Sequence, residues 1–162
     1  MEGLKEPSEV FDVGDVAIAS DHAGVELKAS IVAWLRAQGK TAVDMGPTDS
    51  HPVDYPSFAK LVCGRVATGD VPLGILICGS GIGMSIAANK VHGIRAALVS
   101  EPLSAAMSRK HNNANILCLG ARMTGPDLAT ECVRAFLATA FDPGDDGRHR
   151  RRVQMITELE NS

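Results

Sequence analysis

A chain of 162 residues has room for one domain with a well-buried core and is too short for two of ordinary size. Its 45% hydrophobic and 22% charged residues are globular in proportion, and 4% aromatic residues with sixteen glycines point to a core of Ala, Val, Ile and Leu with many close backbone approaches. A net charge of −3 excludes the broad basic surface that nucleic acids and anionic membranes require, and no segment approaches the roughly twenty apolar residues of a membrane span.

Residues 1–14 are polar and aperiodic and are expected to form a mobile leader ahead of a single domain over 15–162. They show no secretory-signal pattern, so the expected location is the cytoplasm. A buried strand is predicted over 16–20, followed by a helix over 25–38 that carries Leu27, Ile31, Trp34 and Leu35 on one face and stops at Gly39. The same unit recurs as a strand over 41–44 with a helix from about 57 to 68, a strand over 73–78 with a helix from about 83 to 91, a strand over 96–100 with a helix from 102 to about 110, and a strand over 116–120 with a helix from about 126 to 140. A last helix, over 147–160, has no strand before it and is expected to reach a partner subunit. Five nearly continuous apolar strands alternating with helices predict a three-layer, doubly wound, Rossmann-like α/β fold with a parallel sheet. In such a fold ligands sit outside the carboxyl ends of the strands, so the loops after Ser20, Asp44, Cys78, Ser100 and Gly120 should share one edge.

The densest chemical signal is Cys78-Gly79-Ser80-Gly81-Ile82-Gly83, where a strand ends in cysteine and a glycine-rich turn opens a helix. Successive backbone N–H groups there form a nest for negative charge. The same surroundings favour a thiolate, whose ordinary pKa of about 8.5 leaves it mostly protonated at neutral pH. The turn is not a dinucleotide fingerprint, because Met84 stands where the last glycine belongs, although Glu101 lies at the acidic spacing of that motif. Nor is it a Walker loop, for want of Gly-Lys-Ser/Thr. Cys63, Cys118 and Cys132 sit in apolar settings without C-x-x-C spacing, and read as buried thiols rather than zinc ligands.

Asp21-His22-Ala23-Gly24 follows the first strand, where Asp21 suits a helix N-cap and His22 is free for another use. His111-Asn112-Asn113 ends the fourth helix, where the helix dipole favours a histidine as readily as catalysis does. His51 and His92 read as solvated. Arg148 and Arg152 are four apart on one helical face, and with Arg122 they make either a solvated basic surface or a guanidinium clamp for a small phosphate.

In this order the pieces resemble the family of type B ribose-5-phosphate isomerase and the related galactose-6-phosphate isomerase subunits. The matching stretches are 19–24, 54–56, 77–90, 93–96, 108–115 and 147–149, and the likeness runs from about Val16 to Leu159. It implies Cys78 as the general base that moves a proton between C2 and C1 of an open-chain aldose phosphate. Amides from Gly79 through Gly81 and Ile82 to Gly83 would hold the enediolate oxygen with Asn112, and Ser80 would bond near the reacting carbons. It further implies His111 as the ring opener, Asp21 on the sugar hydroxyls, and His22, Arg122, Arg148 and Arg152 on the phosphate. A branch of the family uses a glutamate a few residues on, a place that Met84 takes here. The resemblance implies no metal or other cofactor, and a homodimer or homotetramer whose chains share each site. Ribose 5-phosphate is the expected substrate, with allose 6-phosphate, galactose 6-phosphate or a tetrose phosphate as alternatives. A non-catalytic phosphosugar sensor would need the nest and arginines but neither Cys78 nor His111, and a nicotinamide oxidoreductase fits the glycine pattern less well.

Overall fold

The computed structural model describes residues 15–162, so the expected leader lies outside the described residues. Five parallel strands form one sheet: β1 (Val16–Ser20), β2 (Ala42–Asp44), β3 (Leu73–Cys78), β4 (Ala96–Leu98) and β5 (Ile116–Gly120), in the order β2-β1-β3-β5-β4. Six helices accompany it: α1 (Val25–Ala37), α2 (Tyr55–Ala67), α3 (Ile82–Ala88), α4 (Pro102–Asn112) and α5 (Pro126–Ala138) flank the sheet, and α6 (Arg148–Leu159) lies against α4. The doubly wound α/β architecture is the one expected.

The strands are apolar throughout because both faces of the sheet are buried. Val16, Ile18, Ile75, Ile77, Leu117 and Leu119 point to the side covered by α1 and α5, where Ile31, Leu35, Phe136 and Leu137 meet them. Ala17, Ala19, Leu76, Cys78, Ile116 and Cys118 point to the side of α2 and α3, against Ala59, Val62, Cys63 and Met84. Successive strand residues alternate between two hydrophobic layers, as the pleat requires. Buried Lys28, unexpected on an apolar helix face, is 2% exposed and donates to Asp44 Oδ1 at 2.6 Å and to the Pro47 carbonyl at 2.7 Å, tying α1 to the loop after β2.

Element ends differ from expectation where capping decides them. α2 starts at Tyr55 rather than near Ser57, with Asp54 as its N-cap and Pro56 in its first turn. α3 starts at Ile82 and stops at Ala88, because Asn89 leaves the helix to bond across to the Ala96 backbone at 2.9 Å in both directions. α4 runs two residues further than predicted and takes in His111 and Asn112 before Asn113 closes it at φ 48°. No helix among the described residues is long and apolar enough to cross a membrane.

Candidate active site

The chain leaves β1 towards one edge of the sheet and returns through β3 towards the other, so the carboxyl ends of β1 and β3 flank the crevice where the winding reverses. Asp21 follows the last residue of β1 and donates its backbone N–H to the Ile77 carbonyl at 2.9 Å, while Cys78 ends β3. An open cleft of about 550 Å³ lies there, lined among others by Asp21, Tyr55, Cys78, Ser80, Gly83 and Arg122. The expected N-cap holds: Asp21 accepts from the Ala23 N–H at 2.9 Å over a short 3₁₀ turn.

The turn after Cys78 is shaped by glycine. Gly81 has φ 78°, and a Cβ there would stand 2.9 Å from the Leu119 carbonyl carbon and 2.5 Å from Leu98 Cδ1. That conformation turns the Gly81 N–H back onto the Cys78 sulfur at 3.2 Å. The Ile82 N–H is held by Ser80 Oγ at 3.2 Å, so two of the five expected nest amides already have partners within the turn. Gly79 and Ile82 also line the cleft, and the Arg122 N–H anchors the β5 loop to the Gly79 carbonyl at 2.9 Å. A Cβ on Gly79 would be 3.1 Å from Arg122 Nη1, which places that guanidinium over the turn. Beneath the turn Met84 is fully buried.

The four cysteines divide sharply. Burial pushes the Cys63 thiol up to about 12 and the Cys132 thiol up to about 11, and burial with Cys63 and Cys78 nearby raises Cys118 as well. All three stay protonated thiols at any physiological pH. Cys78, 5% exposed, is the one at the cleft. Among the described residues no three His, Cys, Asp or Glu side chains cluster so as to hold a metal ion.

His22 follows Asp21, is half-buried, and accepts the Val53 N–H on Nδ1 at 3.2 Å, which leaves its proton on Nε2 in the neutral ring. It does not line the Cys78 cleft. The other expected residues are further off. α4 runs antiparallel to the strands, so eleven residues at about 1.5 Å each carry its end to the opposite edge of the sheet, beside the start of β5. His111 and Asn112 therefore sit a strand length from Cys78 of the same chain. Asn112 lines a second cavity of about 590 Å³, with Arg95, Ile156 and Glu160. Arg148 and Arg152 are exposed on α6, which packs beside His111, and Arg148 Nη1 meets Asp146 Oδ1 at 3.4 Å. The expected residues thus form two groups on one chain: Asp21, Cys78, Gly79, Ser80, Ile82, Gly83 and Arg122 at one edge, with His111, Asn112, Arg148 and Arg152 at the other.

His51 is exposed with Nδ1 2.8 Å from Asp49 Oδ1, and exposed His92 approaches Glu160 Oε2 at 3.8 Å. Two residues of the sites lie in the matching stretches 54–56 and 147–149 but have no role among the expectations above. Tyr55 lines the cleft, its ring so close over Gly83 that a Cβ there would be 2.6 Å from Cζ; Asp54 before it and Pro56 after it were the helix-start signal. His149 is buried beside His111, on the side of α6 where Val153, four residues on, is half-buried.

A sequence model of the family described as Ribose/Galactose Isomerase matches residues 16–156. Ribose-5-phosphate isomerase B of Escherichia coli (strain K12) is 47% identical over 145 residues, spanning 90% of this chain and 95% of that protein. A solved structure of ribose-5-phosphate isomerase B from Clostridium thermocellum superposes with a TM-score of 0.88 at 46% identity, covering 91% of this chain and 97% of its own. One from Mycoplasma genitalium, described with bound ribulose-5-phosphate, gives a TM-score of 0.85 at 43% identity over 91% of this chain and 97% of its own.

Proposed function

The chain belongs to the ribose/galactose isomerase family, and from that premise we propose that it interconverts D-ribose 5-phosphate and D-ribulose 5-phosphate through a cis-enediolate. Cys78 takes the proton from C2; the electron pair of that C–H bond forms the C1–C2 double bond, and the carbonyl oxygen at C1 gains the negative charge. Sulfur then returns the proton to C1 while the hydroxyl proton on O2 passes to O1, leaving the ketose. The observation that carries this reading is the Cys78 sulfur at a cleft between β1 and β3, with an amide donor aimed at it. That amide supports the sulfur when it is anionic, and free N–H groups of the turn support the enediolate in a preorganised way that water cannot match. Asp21 is placed for the sugar hydroxyls, Ser80 for the reacting carbons, and Arg122 for the phosphate. In this chemistry the electron pair stays within the sugar, and no step calls for a cofactor.

The second group of residues completes the site from another copy of the chain. A two-fold axis that sets the α4–α6 edge of one chain against the Cys78 cleft of its partner brings in His111 to open the furanose, Asn112 to the enediolate, and Arg148 and Arg152 to the phosphate. Exposed Ile82 and Ile86 beside the cleft, and exposed Met155, Ile156 and Leu159 on α6, are apolar surface that such an assembly would cover.

The test is interconversion of the two pentose phosphates in the presence of a chelator. Cys78→Ser and His111→Ala should each be nearly inactive alone. Mixed in equal amounts after unfolding and refolding together, they should regain about a quarter of wild-type activity, because half the dimers then hold one intact site. A fully active Cys78→Ser would sink the base assignment, and a mixture with no recovery would sink the shared site. A kcat/KM panel over four-, five- and six-carbon aldose phosphates measures the substrate preference.

A further inference from the structure

His149 is the buried member of an otherwise exposed basic run. It is 7% exposed, whereas Arg148, Arg150, Arg151 and Arg152 all face outwards. Its ring lies against that of His111, with centroids 4.4 Å apart and planes tilted by 40°. Its Nδ1 stands 2.9 Å from the Asp142 carbonyl oxygen. A carbonyl only accepts, so Nδ1 carries the proton and donates it, which fixes both the ring orientation and the tautomer.

The loop that provides this carbonyl is itself tied to α4. The Asp142 N–H donates to the carbonyl of Lys110, the residue before His111, at 2.9 Å. Gly144 N–H caps the Asp142 carboxylate at 2.8 Å, and the His149 N–H donates to the Pro143 carbonyl at 3.1 Å. A closed circuit therefore runs from Lys110 through Asp142 and His149 back to the His111 ring. A hydrocarbon would fill the same volume without the cost of burying an imidazole, so the polar ring needs a reason beyond packing.

We propose that His149 is a positioning residue that holds the His111 imidazole at the angle required to open the sugar ring. This rests on the ring-opening role proposed for His111 above. The side chain touches His111 and not the reacting carbons, so its removal should disturb ring opening and spare the proton transfer at Cys78.

The chemistry of the two sugars separates these steps. Ribose 5-phosphate is closed through O4 and must be opened. Ribulose 5-phosphate has its C5 oxygen esterified and cannot close onto C2, so exchange of its C1 hydrogen with deuterium from D₂O needs the enediolate but no ring step. For His149→Asn, which keeps an N–H for the Asp142 carbonyl but leaves the His111 ring unsupported, kcat/KM for ribose 5-phosphate should fall about tenfold or more while exchange into ribulose 5-phosphate is unchanged. His149→Phe keeps a flat ring but loses the anchor, and should show the same selective loss in smaller measure; it carries the test if the Asn variant does not fold. His111→Ala is the control and should show the selective loss most strongly. If His111→Ala behaves so but the His149 variants lose both activities in proportion, or neither, His149 is a packing residue and the inference is overturned. If His111→Ala shows no selective loss, the ring-opening reading has failed and the inference falls with it.

Discussion

Replacing Gly81 by alanine tests whether the turn after β3 is as tightly constrained as its geometry indicates. Two separable costs are expected. An L-residue at φ 78° is strained by about 1–2 kcal/mol. The added methyl would also meet Leu98 Cδ1 at 2.5 Å, the Leu119 carbonyl carbon at 2.9 Å and the Gly120 nitrogen at 3.1 Å. Leu98 is at the surface and can rotate away, but the β5 backbone is hydrogen-bonded into the sheet, so overpacking adds about 1–3 kcal/mol. Gly69 isolates the first cost, since it has φ 81° with nothing within 4 Å of the added carbon. Urea unfolding followed by circular dichroism should then give a loss of about 2–5 kcal/mol for Gly81→Ala and about 1–2 kcal/mol for Gly69→Ala, at unchanged m. Gly81→Ala should also lose turnover, because any backbone shift moves the amide off the Cys78 sulfur, whereas Gly69→Ala should not. Equal stability losses for the two variants would refute the steric argument, and a fully active Gly81→Ala would refute the link between this amide and the thiol.

Other outcomes follow from the same structure. Iodoacetamide on the native protein should modify Cys78 alone, the cysteine that lines the cleft, and abolish activity in step; mass spectrometry should find Cys63, Cys118 and Cys132 labelled only after unfolding, since those three are wholly inaccessible and held as thiols. Lys28→Met should cost about 1–3 kcal/mol by removing the donor to Asp44 and the Pro47 carbonyl, and hydrogen exchange should show a loosened loop after β2. The Asp142 carboxyl is held below its usual range by the Gly144 N–H, and that of Asp146 by the Arg148 N–H. A carboxylate depressed in the folded state stabilises it above the unfolded pKa of about 3.9, and that contribution disappears as pH falls through the lower folded value. Protection at the start of α6, taken as hydrogen exchange relative to the intrinsic rate at each pH, should therefore fall below about pH 4, and Asp142→Asn should remove part of that dependence.

Strand positions were legible because a parallel sheet buried on both faces demands nearly unbroken apolar runs, and Val16–Ser20, Leu73–Cys78 and Ile116–Gly120 are such runs, opened after Asp15, Pro72 and Asn115. Helix ends were less so, since Asn89 ends α3 through a side-chain contact with Ala96 that local periodicity does not contain. The rule that loops after strands share an edge brought Asp21, Cys78, Ser80 and Arg122 together correctly. It says nothing of residues at helix ends, and His111 lies where α4 has already returned to the far edge. Lys28 was hidden because its partners, Asp44 and Pro47, are sixteen and nineteen residues away. His149 was masked by four arginines.

The length of β3 and β5 has one more consequence. On the proposed roles, with Cys78 accepting the proton at one end of these strands and His111 opening the ring at the other, a lone chain would hold two half-sites unable to work on the same sugar molecule. Specific activity should then be set by how much of the protein is paired, declining on dilution and recovering on reconcentration, and a free chain would be a silent reserve rather than a slower enzyme.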